Sequence, residues 1–221
     1  MTTPRRRPGR PRGAQQDPAA RRAALLDAAE LAIADHGVHV SMEQIAERGG
    51  VSKATLYDNF DGKAGLSDAI LERYGARLLG AFAENLGTPQ SAREVVRNGI
   101  ETFVALIEAD PELYRFVVRN SDGDALLAEI ASPIGALLRS VLDPDAASGA
   151  DALAHATLGA IVTATDWWCR HRDLTHAGFV DLLDGFAWSA LAGSGVPADD
   201  APVDLAAVAD AIAAAQRLQA G

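Results

Sequence analysis

The chain has 221 residues, 48% of them apolar but only 5% aromatic, and a formal net charge of −10. Its single cysteine, Cys169, excludes an intrachain disulfide and fits a reducing cytoplasm, while no uncharged apolar run reaches ~18 residues, which excludes a membrane-spanning helix. Abundant alanine with few β-branched runs favours an all-α chain, and the arginine-rich start lacks the apolar segment of a secretory signal.

The charge is unevenly divided. Residues 1–22 hold seven arginines and one aspartate, against 13 basic and 29 acidic side chains in the remainder. Affinity for a polyanion is therefore expected at the start, on a body that repels one. Residues 1–16, MTTPRRRPGRPRGAQQ, are too rich in proline, glycine and arginine to bury a core and read as a disordered basic arm. Arg7, Arg10 and Arg12 stand there in an RPGRPR run similar to an AT-hook, whose arginines enter a narrow A·T minor groove of enhanced negative potential. A generic tail making phosphate contacts is the other reading of the same residues.

Asp17-Pro18 starts the first helix, an N-cap followed by proline at the first helical position. It runs to His36, with Leu25, Ala28, Ala29, Ala32 and Ile33 on the buried side and Gly37 as its stop. Ser41 and Gln44 form a capping box, and Val40 and Ile45 an apolar staple, for a helix Met42–Arg48 that ends at Gly49-Gly50. Ser52 caps the next helix, Lys53–Phe60, and Asp61 is placed to cap the one after. At about 100° per residue, Leu56 and Phe60 share one face of Lys53–Phe60, where they can bury with Ile45 and Val51. Ala54, Thr55 and Asp58 face the other way, flanked by Lys53 and Tyr57 on one side and Asn59 on the other. Such a helix is too short to stand alone. Two short helices joined by a tight turn are the helix-turn-helix plan, in which the second enters the DNA major groove.

A longer helix follows to about Asn85, broken by Gly87-Thr88-Pro89. Helices are then expected over Ser91–Ala109 and Glu112–Asn120, a turn at Ser121-Asp122-Gly123, and a helix Asp124–Ala131. Pro133 should kink or restart the chain, leaving Ile134–Leu142 as a possible separate segment before a loop at Asp143–Gly149. Ala150–Arg170 and Ala177–Ala192 are the strongest remaining helices, and both are apolar over more than one face. A Pro/Asp-rich linker follows, and Asp204–Gln219 could add a marginal terminal helix. Four parts result: an arm at 1–16, a DNA-binding domain at 17–63, a larger helical body at 64–193, and the remainder to 221.

The run IAERGGVSKATLYDNFDGKAGL resembles the DNA-binding signature of the tetracycline-repressor (TetR) family of bacterial transcription regulators, and LLDAAELAIADHG resembles that family's first helix. The resemblance spans Ala23 to Leu66, and Thr55-Leu56-Tyr57-x-x-Phe60-x-x-Lys63 is its specific core. Ala32-Ile33 departs from the Leu-Phe common at that place. Beyond Leu66 only length, helical content and order of elements agree.

The resemblance implies a homodimer, with helices 150–170 and 177–192 pairing with their symmetry mates, and an operator of double-stranded DNA that is roughly palindromic; completing the monomer core is the other reading of those two helices. It carries base contact onto Lys53, Thr55 and Asn59, beside which Ala54 and Asp58 share the outer face. It carries phosphate contact onto Ser41, Tyr57 and Lys63, with Ser52 at the neighbouring helix start. The chemistry agrees: Lys53 can donate to guanine and the Thr55 methyl can touch thymine, while Asp58, repelled by a polyanion, either accepts from cytosine N4 or points to solvent or a nearby Lys or Arg. The resemblance also implies that a ligand in the helical body tilts the helix after Lys63. Candidate lining residues are Phe103, Tyr114, Phe116, Trp167 and Trp168, with Arg119, His155 and Asp166 as polar contacts; the same aromatics at helical spacing also read as core. A small, lipophilic effector fits such a lining.

No cofactor is expected. Asp166, Cys169, His171, Asp173 and His176 crowd one junction, but their spacing matches no zinc pattern. There is no nucleophile elbow, HExxH or Walker loop, so an enzyme is not expected. The reading is a ligand-responsive regulator, most simply a repressor; the rival is an architectural or activating DNA-binding protein with an AT-hook-like arm and no effector.

Overall fold

The first helix begins where proline and a capping aspartate put it. In a computed structural model, which describes residues 17–85, 91–120, 123–142, 144–196 and 210, α1 spans Pro18–His36, and Asp17 accepts a hydrogen bond from the Ala19 amide. Gly37, at φ 69°, stops it. Then follow α2 (Met42–Arg48), α3 (Lys53–Phe60), α4 (Gly62–Asn85), α5 (Ala92–Ala109), α6 (Pro111–Asn120), α7 (Gly123–Val141), α8 (Pro144–Ala147), α9 (Ala150–His171) and α10 (His176–Ala192). Every described element is a helix.

Local capping explains most boundaries. Ser41 with Gln44 and Ser91 with Glu94 each close a capping box in front of α2 and α5, and Thr175 caps α10 by accepting from the Gly178 amide. Two features depart from the expected order. α7 is one helix through Pro133, although proline cannot donate to the carbonyl four residues back. Its packing against α9, where Ala131, Leu138, Ala154 and Leu158 share one buried cluster, holds the two halves in line. The stretch expected as a loop at Asp143–Gly149 also contains a helical turn, α8. Asp61 differs in role as well: it sits in the left-handed region (φ 47°), and its amide donates to the Tyr57 carbonyl, so it closes α3. The arm at 1–16, Gly87-Thr88-Pro89, Ser121-Asp122 and, residue 210 excepted, Asp204–Gln219 lie outside the described residues.

Three apolar clusters form the interior. The first joins α1, α2 and α3 through Leu25, Ile33, Ile45, Leu56 and Phe60, and it is completed by Leu66 and Ile70 of α4 and by Leu113 and Phe116 of α6. Phe103, Ile107, Trp168, Phe179 and Leu183 anchor the second, between α5, α9 and α10; the third lies between α7 and α9. α4 thus runs from beneath α3 into the body. No helix among the described residues is long and apolar enough to cross a membrane.

Candidate nucleic-acid interface and effector cavity

α3 is held on the protein by its apolar side and by both ends. Leu56 and Phe60 are buried. At the start, Ser52 Oγ accepts from the Thr55 amide at 3.1 Å and shares a hydrogen bond with Thr55 Oγ1 at 2.9 Å. At the end, Arg22 of α1 donates to the Asn59 carbonyl at 2.8 Å, with its guanidinium 4.7 Å from the centre of the Phe60 ring. A cation there also complements the negative end of the helix dipole. Arg22 counts with the basic start in the sequence; nothing local marked it as a clamp.

The outward side of α3 presents Lys53, Ala54, Tyr57 and Asp58, all exposed, with Tyr57 46% accessible. Thr55 and Asn59 are half-buried, and the Asn59 amide nitrogen donates back to the Thr55 carbonyl at 2.7 Å. Lys53 is ion-paired with Glu43 of α2, which raises the lysine pKa and lowers that of the carboxylate, chiefly through their hydrogen bond. Ser41 uses its hydroxyl and amide on Gln44, at 3.2 and 2.8 Å. Lys63 departs from the others. Its Nζ turns inward, 3.4 Å from the Val38 carbonyl and 5.1 Å from the centre of the Phe116 ring, where burial and then nearby Arg119 hold its pKa down.

The body contains a cavity of about 220 Å³ between α4, α5, α7, α9 and α10. Of the eight residues expected to contact an effector, Phe103 alone lines it. Phe116 belongs to the core beneath the reading domain, and Tyr114 and Trp168 to the α5–α9–α10 core, Trp168 stacking on Phe179 at 4.6 Å. Trp167 and Arg119 are exposed, His155 bonds the Asp151 carbonyl, and Asp166 pairs with Arg170. Leu78, Leu79 and Phe82 of α4 and Thr157 of α9 do line the cavity. Aromatic spacing drew attention to the core, since both core and cavity ask for apolar residues at helical intervals.

The two histidines at the α9–α10 junction have other partners. His171 stacks on Trp167, and His176 lies between Glu101 and Glu108. Among the described residues no cluster of three or more metal-ligating side chains forms. The outer sides of α9 and α10 remain apolar: Leu182 and Phe186 are 58% and 51% exposed and Trp167 44%, beside small exposed Ala152, Ala156 and Thr163.

Residues 25–70, which contain this helix-turn-helix, match the profile of bacterial regulatory proteins of the tetR family, and residues 81–203 match that of the tetracycline repressor-like C-terminal domain. The chain belongs to the TetR family of transcription regulators. An uncharacterised HTH-type transcriptional regulator of Mycobacterium tuberculosis is 31% identical over 194 residues, covering 84% of this chain and 83% of the relative. The HTH-type transcriptional activator FasR of Mycolicibacterium smegmatis is 38% identical over 101 residues, 45% of this chain and 46% of its own. Among solved structures, a TetR-like regulator from Rhodococcus sp. RHA1 superposes with a TM-score of 0.58 at 28% identity, over 80% of this chain and 98% of that one. As a TetR-family protein the chain is a DNA-binding transcription regulator and not an enzyme.

Proposed function

We propose that this TetR-family regulator is a cytoplasmic homodimeric repressor, released from a palindromic operator when a small lipophilic molecule enters the body cavity. The observation that carries this reading is the double membership of α4. Leu66 and Ile70 lie in the core under the reading helix, and Leu78, Leu79 and Phe82 of the same helix line the cavity. A ligand that displaces the far half of α4 moves the near half, and coupling of this kind is typically ~1–3 kcal/mol, or about 5–150-fold in DNA affinity.

On DNA, Lys53, Ala54, Thr55, Asp58 and Asn59 meet base edges, while Ser41, Ser52, Tyr57 and Lys63 serve phosphates. Lys63 must first leave the Val38 carbonyl. Arg7, Arg10 and Arg12 add minor-groove or phosphate contacts. The exposed apolar sides of α9 and α10 form the two-fold interface, and closure by C2 symmetry sets two reading helices about one DNA turn apart.

Selection of bound duplexes from a random pool, with the full chain and with residues 1–16 deleted, followed by challenge with small apolar compounds, tests the reading. A two-fold symmetric site released by at least one compound is the expected result. An asymmetric site, or binding indifferent to every compound, would sink it. The FasR relative is named an activator, which favours a second reading with the same DNA contacts and the opposite sign. Transcription from a promoter carrying the selected site decides between the two.

A further inference from the structure

Threonines inside a helix commonly satisfy their hydroxyl on the carbonyl one turn back. Thr102 does so on Asn98, at 2.7 Å, and Thr165 on Ile161, at 2.8 Å. Thr157, two turns before Thr165 on the same helix, does not: its Oγ1 is buried without a hydrogen-bond partner. Among the described residues it is also the single polar side chain on the cavity wall. An unpaired buried hydroxyl is a cost that the carbonyl one turn back could have removed. A water would be poorly held there, because it needs two to four polar partners and this wall supplies one.

We infer that the cavity takes a neutral, largely hydrocarbon molecule with one hydrogen-bonding oxygen, which pairs with the Thr157 hydroxyl. This rests on the reading of the cavity as the effector site and names the chemical class it selects. Size sets the first limit. A dry cavity of about 150 Å³ accepts a benzene-sized guest, so this one suits about eight to twelve non-hydrogen atoms. Charge sets the second. Among the described residues no lysine, arginine or histidine lines the wall, so a carboxylate drawn inside would be buried without a partner and is disfavoured. The hydroxyl both donates and accepts, so an alcohol, phenol or ketone oxygen fits equally.

Three probes of matched shape separate these factors in calorimetric titrations of the full chain near pH 7.5: 4-propylphenol, propylbenzene and 4-propylbenzoate. Propylphenol should bind. Thr157→Val should weaken it on the order of five- to tenfold while leaving propylbenzene unchanged, and Thr157→Ser should retain it. Propylbenzoate should bind at least about a hundredfold more weakly than propylphenol. The ligand-free Thr157→Val protein should unfold at the same temperature as the parent or higher, since no hydrogen bond is lost. Equal affinity for benzoate and phenol, indifference of propylphenol to Thr157→Val, or binding of none of the three overturns the inference. Operator release is read separately. Thr157-dependent binding without release would count against the regulatory reading alone; release by charged compounds without that dependence would count against this inference alone.

Discussion

Lys53, proposed above to meet a base edge, is already engaged within the protein. Its ammonium is paired with Glu43 across the α2–α3 turn, and both groups are solvent-exposed, so the pair is salt-sensitive and individually weak. Its consequence is for DNA: a carboxylate beside the leading cation of the reading face cancels part of its field. Glu43→Gln is therefore expected to raise affinity for operator and scrambled duplexes alike, severalfold at low salt, with the gain fading as salt rises. Fluorescence anisotropy on both duplexes checks it, and unchanged affinity would remove the argument. Asp58 also places a carboxylate on that face, but by its position on the outer side it can read a base. Asp58→Ala should strengthen binding to scrambled DNA and also flatten preference at one base pair of each half-site. If preference there survives, Asp58 acts only as a repelling charge. The two substitutions remove the same charge and differ in what they do to sequence preference.

Between elements, the α3–α4 corner fixes the angle of the reading helix. Asp61 and Gly62 both take positive φ, at 47° and 84°, and a Cβ on Gly65 would collide with the Phe60 backbone carbonyl. Backbone cannot swing aside as a side-chain tip can. Gly65→Ala should therefore push α4 away from the end of α3, destabilising the protein by about 1–3 kcal/mol and lowering operator affinity beyond what unfolding accounts for. Urea unfolding beside binding at equal folded fraction separates the two effects; native-like operator affinity would show that the corner tolerates the shift. A second joint, between α5 and α10, is ionic. His176 sits 2.8 Å from Glu101 and 2.6 Å from Glu108, Arg172 also pairs with Glu108, and the Trp168 and His176 rings meet in a T-shaped arrangement. The hydrogen bond to Glu101 foremost, opposed by burial and aided by Glu108, raises the His176 pKa above its ordinary 6.5. A raised folded-state pKa contributes stability that is complete below the unfolded value and is lost as pH climbs through the folded one. The melting temperature should accordingly fall as pH rises from about 6.5 through the raised value, and His176→Gln should flatten that slope. Parallel curves for the two proteins would show that the joint contributes nothing.

At the scale of the whole molecule, what the sequence made legible was local. Asp17-Pro18, the Ser41–Gln44 box and Ser52 fix helix starts with atoms a few residues apart, so α1 to α3 and the outward side of α3 could be read directly. What depends on distant partners could not. The continuity of α7 through Pro133 rests on α9, where a Cβ on Gly135 would strike Asp151, and the inward turn of Lys63 rests on α6. The cavity is defined by side chains from five helices, so its wall looked no different from core. The proposed route from cavity to DNA is of the same long-range kind. Arg73 pairs with Asp27 and Glu30, and Arg77 donates to Glu30 at 2.8 Å, tying α1 to α4 at a point just before Leu78 enters the cavity wall. If α4 drags the reading domain through these ions, Arg77→Gln should leave operator and effector affinities, each measured alone, within about threefold of the parent, because Arg73 still anchors α1. Their coupling should shrink, so that a saturating compound weakens operator binding by a factor several times smaller than in the parent. Linkage supplies an internal check: operator DNA must lower effector affinity by the same factor in each protein. Undiminished coupling in Arg77→Gln would mean that the motion passes instead through the apolar contacts of Leu66 and Ile70, which hold α4 to the core of the reading domain without any charge.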